Sequence, residues 1–123
     1  MSPKYALLLA VDLGRVLLAL PAVERGRRSA PTGPLLAKLR ARGRVRRRRS
    51  ERSRARLARA IGWVDRLGPG GPNCLRRTLL RVALDPDSAG ESVVFGLNVP
   101  NAQGHAWVSG TEAPAPYDVE FRV

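Results

Sequence analysis

The sequence has one cysteine and one histidine in 123 positions, so it is poor in the residues on which small metal-binding and disulfide-rich domains depend. Aromatic residues are also few, at 5%. A single thiol, Cys74, excludes an internal disulfide framework and a zinc site built from several cysteines, because both need further thiols. With His105 as the only histidine, a metal site would consist mostly of carboxylates, and the acidic residues show no clustered spacing. We therefore expect no metal and no cofactor, and a lone thiol is typical of the reducing cytoplasm.

A long uninterrupted apolar run is also lacking. Asp12 and Arg15 divide the apolar stretch near the N-terminus into pieces far shorter than the roughly 20 residues that a membrane-spanning helix needs. A charged pair inside the hydrophobic region is also atypical of a secretory signal. Being three residues apart, the two are expected to pair on one face of an amphipathic helix. Leu8, Val11 and Leu18 would then pack against the domain, without a membrane span.

The positive charge is unevenly distributed along the chain. Residues 38–59 hold eleven Arg and one Lys against one Glu, which accounts for +11 of the formal net charge of +12. Three interpretations stay open: a solvated basic segment, nucleic-acid binding, or docking to an acidic partner through bidentate contacts to carboxylates. Nucleic-acid binding is the least favoured, because this segment has no aromatic residue on which a base would stack. Docking would use four consecutive arginines, namely Arg46, Arg47, Arg48 and Arg49.

The length predicts one domain over residues 1–123, with a helical, Arg-rich front half (1–67) and a second half (68–123) that carries the motifs. Glycines and prolines predict a loop at 26–34. Repulsion between neighbouring arginines predicts a mobile loop or a frayed helix at 40–54. Apolar residues at helical spacing predict a helix that ends at Gly68.

The second half begins with a Gly- and Pro-rich break, after which Asn73 is a good N-cap and Cys74 begins a helix. Leu79 and Val82 belong to the apolar stripe of this helix, which ends at Asp85. The helix also contains three arginines that we expect on its wetter side, namely Arg76, Arg77 and Arg81.

Three stretches that follow are typical of strands, at 92–99, 104–109 and 117–123. Helices followed by strands predict an α+β domain in which a small antiparallel sheet packs on the Cys74 helix. Alternation along the second strand directs Ala106 and Val108 to the core, and His105 and Trp107 to the opposite face.

Three residue types in this arrangement fit nucleophilic catalysis. At a helix N-terminus, Cys74 meets the positive end of the helix dipole and backbone N–H groups, which favour a thiolate and an oxyanion. His105 is suited to take and return a proton, and Asp118 lies on the face of the last strand from which it would orient the imidazole. Their separations of 31 and 13 residues fit many folds, so spacing alone does not decide the question.

The short sequence motifs around these residues are more specific than their spacing. They read Asn-Cys-Leu-Arg-Arg-Thr-Leu-Leu at 73–80, Gly-Leu-Asn-Val at 96–99 and Gly-His-Ala-Trp-Val at 104–108. In these motifs the chain resembles the transglutaminase-like cysteine peptidases of lasso-peptide biosynthesis, and the resemblance covers about half its length. Related transglutaminase-core proteins of other function share His-Ala-Trp-Val, and Cys-Leu-x-Arg narrows the match.

The resemblance implies a papain-like or transglutaminase-like core in which a helix presents the cysteine and adjacent strands present the histidine and the aspartate. It makes Cys74 the nucleophile, His105 the base and acid, and Asp118 the residue that orients His105, with Glu120 as the alternative. Substrate-binding roles fall to two residues beside the triad, Asn73 and Trp107. Either Asn73 or Gln103 is expected to donate to the oxyanion. At position 109 the family commonly has an acidic residue, where this sequence has Ser109.

The implied activity is removal of the leader peptide from a ribosomally made lasso-peptide precursor. The implied partners are the leader peptide, a small leader-recognition protein and the lasso cyclase. Two alternatives stay open. One is a transglutaminase-like hydrolase or acyltransferase of another pathway, and the other is a basic module that binds nucleic acid or another macromolecule.

Overall fold

The computed structural model describes residues 1–29, 31–98, 103–110 and 119–123. These residues form five helices followed by three strands, which confirms the α+β class. The elements are α1 (Pro3–Ser29), α2 (Thr32–Arg44), α3 (Glu51–Leu67), α4 (Cys74–Leu84), α5 (Pro86–Ala89), β1 (Val93–Asn98), β2 (Gln103–Val108) and β3 (Val119–Arg122).

The loop expected at 26–34 is wrong, because α1 continues to Ser29 and α2 begins at Thr32. Glu24 stabilises the last turn of α1 through ion pairs with Arg27 at 3.0 Å and Arg28 at 3.3 Å. Gly26 lies inside the helix, and Leu35 of α2 packs directly over it. A Cβ at this position would overlap the leucine side chain. The glycine therefore marks a close helix contact.

The basic segment is also more ordered than repulsion between its charges predicts, since α2 runs to Arg44 and α3 starts at Glu51. Ser50 caps α3 by accepting a hydrogen bond from the Ser53 backbone N–H at 3.1 Å. Gly43 lets α2 approach α4 so closely that a Cβ there would overlap the Val82 carbonyl. Of the mobile loop or frayed helix expected at 40–54, only residues 45–50 lie outside the two helices.

Helix α1 faces the core with a side different from the one its leucines suggest. Leu18 is 82% exposed and Val11 is 43% exposed, so the expected packing of these two residues is wrong, whereas Leu8 is half-buried. By length and mean hydropathy, α1 would also meet the requirements for crossing a membrane, and 28% of its most apolar window is buried. The residues that it buries are Leu9, Asp12, Val16, Ala19 and Val23.

Asp12 explains this orientation of α1. Its carboxylate is completely buried and accepts hydrogen bonds from Arg49 at 2.9 Å and from Arg56 at 2.8 Å. The pair with Arg15, expected from spacing, is present at a longer 3.4 Å. Burial would raise the pKa of Asp12, but the hydrogen bonds from Arg49 and Arg56 outweigh it and hold the pKa below its usual value.

The sheet is antiparallel, with β1 in the centre between β2 and β3. Helix α4 packs against β2 and against α1, α2 and α3, so it forms the centre of the molecule. Its predicted apolar stripe is confirmed, since Leu79 and Val82 are completely buried. The predicted start at Cys74 and end before Asp85 are also confirmed.

Arg76 is expected on the solvent-exposed side of α4, but its side chain is completely buried. Its Nε donates to Glu24 of α1, and its Nη1 donates to Asp65 of α3 at 3.0 Å. The remaining donors meet the carbonyl oxygens of Gly71 at 3.0 Å and Pro69 at 2.8 Å. One guanidinium therefore joins two helices and the turn before α4.

The residues around Arg76 provide both negative charge and space for its guanidinium group. Burial would raise the pKa of Glu24, but hydrogen bonds from Arg27 and Arg76 outweigh it and lower the pKa to about 2. Gly68 leaves room for the guanidinium, since a Cβ there would lie 2.5 Å from its Nη1. Arg77 and Arg81, the other two arginines of α4, are half-buried.

Replacing Arg76 should therefore destabilise the whole fold. In Arg76→Met, Glu24 loses one partner, Asp65 keeps Arg77 and the Asn73 N–H but loses its buried cation, and two part-buried carbonyl groups lose a donor. The free energy of unfolding should therefore fall by about 3–5 kcal/mol. Urea denaturation measures this loss, and Arg76→Lys should give an intermediate value. The matched control is Arg66→Met at an exposed position, with an expected change within about 0.5 kcal/mol. A loss below about 1 kcal/mol for Arg76→Met would contradict the assignment.

Candidate active site

The N-terminus of α4 is fixed by the cap that the sequence predicts. The Asn73 Oδ1 accepts a hydrogen bond from the Arg76 backbone N–H at 3.0 Å, and the Asn73 N–H donates to the Asp65 carboxylate at 3.1 Å. Gly70 and Gly71 in the preceding turn have φ of 78° and 77°, which favours glycine at both positions. Asn73 therefore positions the first turn of α4, and the oxygen of its side chain is used in doing so.

Cys74 and His105 line the same cavity, which has a volume of about 330 Å³ and lies between α3, α4 and β2. Cys74 is a half-buried free thiol at the first position of α4, and His105 is half-buried on β2. The structure thus brings together the two residues that the sequence predicts as nucleophile and base. The cavity is lined by Ala58, Ile61, Cys74, Arg77, Thr78, Arg81, His105, Ala106, Trp107 and Val108.

Thr78 links the two walls of this cavity, a role that the sequence reasoning missed. Its hydroxyl oxygen lies 2.8 Å from the carbonyl oxygen of Cys74 and 3.1 Å from that of Ala106. The first turn of α4 is thereby held against the strand segment next to His105. A threonine one helical turn after the cysteine is the available signal, because threonine in a helix often bonds the carbonyl four residues earlier.

The imidazole of His105 is set to be neutral near pH 7. Burial lowers the pKa of His105 below its usual 6.5, and the positive charge of Arg77 lowers it further. A neutral imidazole has a nitrogen that can accept a proton from a thiol. The arrangement therefore suits His105 to act as a general base.

Trp107 forms part of the cavity wall beside the histidine. The two ring centroids are 6.3 Å apart, and the ring planes make an angle of 38°. Ala106 and Val108 are buried, as the alternation along the strand predicts. Trp107 is also buried and contributes an apolar surface next to the thiol and the imidazole.

The third member of the expected triad is not located, because Asp118 lies outside the described residues. The position of the last strand differs from the expectation that the histidine and aspartate strands are neighbours, since β3 pairs with β1 and not with β2. Glu120 pairs with Gly96, and Gly96 pairs with His105 on its other side. Glu120 and His105 therefore share a face of the sheet but stand two strands apart, about 10 Å between their Cα atoms.

The four arginines expected to dock a partner have different environments. Arg49 is turned inward to Asp12, with its side chain 9% exposed, and Arg48 pairs with Asp87 at 3.2 Å while staying 83% exposed. Arg46 and Arg47 lie exposed in the link between α2 and α3. All four line a second cavity of about 500 Å³.

Among the residues that the structure describes, no group of three or more His, Cys, Asp or Glu side chains is placed to hold a metal ion. No protein-family model matches the sequence, and no curated protein or solved structure is significantly similar to it. Any activity therefore has to be argued from the chemistry that the side chains of this cavity make possible.

Replacing Thr78 should loosen the contact between α4 and β2. Thr78→Val keeps the shape but leaves the Cys74 and Ala106 carbonyls without the hydroxyl, so the free energy of unfolding should fall by about 1–3 kcal/mol. Hydrogen exchange should become faster at the amides of residues 103–108, as measured by mass spectrometry. Thr78→Ser, which retains the hydroxyl, should exchange like the wild type. Unchanged exchange in Thr78→Val would show that Thr78 does not hold the strand.

Proposed function

We propose that this chain is a cysteine peptidase in which Cys74 is the nucleophile and His105 the general base and acid. The observation that supports this proposal is that both residues line one cavity, Cys74 from α4 and His105 from β2. A cysteine at a helix N-terminus beside a neutral imidazole is a common arrangement for attack on a carbonyl group. Arg77 and Arg81 add positive charge to the cavity, which favours the oxyanion formed during such an attack.

The reaction would proceed in two stages. His105 takes the thiol proton, and the Cys74 sulfur attacks the scissile carbonyl carbon to form a tetrahedral oxyanion. The C–N bond then breaks, His105 gives its proton to the leaving amine, and the acyl group stays on the sulfur as a thioester. In the second stage His105 takes a proton from water, the hydroxide attacks the thioester, and the sulfur leaves to recover that proton.

For the substrate we propose the leader peptide of a lasso-peptide precursor, cut from its core in the cytoplasm. The support is the resemblance carried by residues 73–80, 96–99 and 104–108. It also implies a papain-like or transglutaminase-like core, a small leader-recognition protein that binds the leader, and a cyclase that closes the ring on the freed amine. Trp107 would form an apolar floor for the substrate next to the reacting bond.

The exposed arginines are proposed to dock an acidic surface of one of these partners. Arg46 and Arg47 are the best placed, since Arg49 is used by Asp12 inside the protein. Arg48 is exposed but shared with Asp87. Guanidinium groups bind carboxylates through two parallel hydrogen bonds, which makes such a segment selective for acidic partners.

Nucleic-acid binding is less well supported than docking to an acidic protein. Arg49 and Arg56 neutralise Asp12, and Arg54 donates to Asp85 at 2.8 Å, so a substantial part of the basic segment is engaged within the fold. Residues 38–59 contain no aromatic residue, and Trp63, the aromatic residue nearest to them in the chain, is already covered on one face by Arg59. A stacking platform for bases is therefore missing from this segment.

Cys74→Ala tests the proposed activity. The purified protein, mixed with a precursor and the leader-recognition protein, should cut the precursor at one peptide bond, and Cys74→Ala should reduce cutting to background because no nucleophile remains. Mass spectrometry of the products measures both the site and the rate. Ser29→Ala, at the end of α1, is the matched control and should cut normally.

The outcomes of this assay separate the candidate functions. Cutting at the full rate by Cys74→Ala would contradict the cysteine mechanism. A product joined to an added amine in place of water would identify an acyltransferase. Salt-sensitive binding of an oligonucleotide, unaffected by Cys74→Ala and without any cutting, would identify a nucleic-acid module.

The pH dependence of cutting should follow the titration of His105. Protonation of the imidazole removes the base, so kcat/KM should fall at acidic pH with a midpoint below 6.5, because burial and Arg77 lower the pKa of His105. Arg77→Gln removes a nearby positive charge and should move this midpoint to higher pH. A midpoint that stays in place or moves to lower pH in Arg77→Gln would contradict the proposed pairing of these residues.

A further inference from the structure

The outward face of α1 is apolar over about 24 Å, the length of sixteen helical residues. Nine positions between residues 6 and 21 are exposed, and Arg15 is the one among them with a polar side chain. Isolated apolar residues on a surface are ordinary, but a continuous apolar face is a feature of interaction sites. The other eight exposed positions are Ala6, Leu7, Ala10, Val11, Gly14, Leu17, Leu18 and Pro21.

The apolar residues of this face have the spacing of a helix-packing surface, and a glycine among them leaves a depression. Leu7, Val11, Gly14 and Leu18 follow each other at intervals of four, three and four residues, which places them in one line along the helix. Leu7 is 66% exposed and Leu18 is 82% exposed. At Gly14, a Cβ would meet nothing within 4 Å, so the line has a low point where another backbone can approach closely.

An apolar groove between α1 and α3 lies along the edge of this face. Its volume is about 380 Å³, and Leu17 belongs both to the groove and to the outward face. Leu67 on its α3 side is 90% exposed and Trp63 is 36% exposed. A groove of this kind accepts a projecting side chain, which a protein partner offers and a flat lipid surface does not.

The rim of the face is positively charged. Arg59 lies over the ring of Trp63, with its guanidinium carbon 5.1 Å from the ring centroid, and Arg66 is exposed on the same helix. Arg15 stands within the face itself and is 47% exposed. A second copy of this chain would bring a further net charge of +12 to the surface, so self-association is opposed by repulsion.

We infer that the outward face of α1, together with the groove beside Trp63 and Leu67, binds an amphipathic helix of another protein. The partner helix presents an apolar stripe to Leu7, Val11 and Leu18 and places acidic residues beside the stripe, opposite the rim arginines. Burying both apolar stripes removes them from water, and the charges give the complex its register and its selectivity for acidic partners. The inference is independent of the proposed reaction, because the face is separate from the cavity that Cys74 lines.

The probe is a synthetic helical peptide with leucines along one face and glutamates on both flanks, labelled with fluorescein. It should bind the full chain, as measured by anisotropy, and shift the tryptophan fluorescence to shorter wavelength as Trp63 is covered. Leu7→Ser with Leu18→Ser should weaken binding at least tenfold. Val45→Ser is the matched control, because Val45 is 85% exposed and lies outside this face, and it should bind like the wild type.

Two further arms decide the chemistry of the partner. Lysine in place of glutamate in the peptide should weaken binding to the wild type, and Arg15→Glu should reduce the preference for the glutamate peptide, since Arg59 and Arg66 keep positive charge at the rim. Cys74→Ala should bind like the wild type, which separates this surface from the proposed activity. Equal binding by the doubly substituted protein, no preference for glutamate, or binding to phosphatidylglycerol vesicles without binding to the peptide would overturn the inference.

Discussion

The buried guanidinium of Arg76 is the contact on which the arrangement of the whole molecule depends. A cation taken out of water is stable only with good partners, and Arg76 finds them on α1, on α3 and in the turn before α4. Because Asn73 caps the same turn, the first residue of α4 has little freedom to move. Cys74 is thus placed by a network that extends through the protein, although the thiol itself is half-buried at the surface.

Acidic residues are scarce in this sequence, and the structure uses several of them at the places where arginines meet the core. Asp12 is shared by Arg49 and Arg56, and Asp65 is shared by Arg76 and Arg77. Each of these carboxylates is completely buried and binds more than one guanidinium. Part of the positive charge is therefore structural, which changes the meaning of the net charge of +12: it describes the packing of the helices as much as any external partner.

Features that depend on neighbouring residues could be predicted from the sequence, including the Asn73 cap, the start of α4 at Cys74, the apolar stripe of that helix and the α+β order. The features that could not be predicted depend on distant residues. On a helical projection Arg76 falls on the polar side, and its burial depends on Asp65, 11 positions away, and on Glu24, 52 positions away in the sequence. The orientation of α1 is hidden for the same reason, since Asp12 is bound by Arg49 in the link before α3 and by Arg56 on α3, which are 37 and 44 positions away.

The register of the sheet constrains how the last strand could supply the third group of the proposed triad. His105 is on the edge strand β2, so the only strand that pairs with it among the described residues is β1, and β1 places Gly96 opposite His105. Gly96 has no side chain, so none of its own atoms stands above the sheet between His105 and the last strand, although the residue is buried. A carboxylate from that strand would have to reach the imidazole across Gly96. A larger side chain at position 96 would stand in its path.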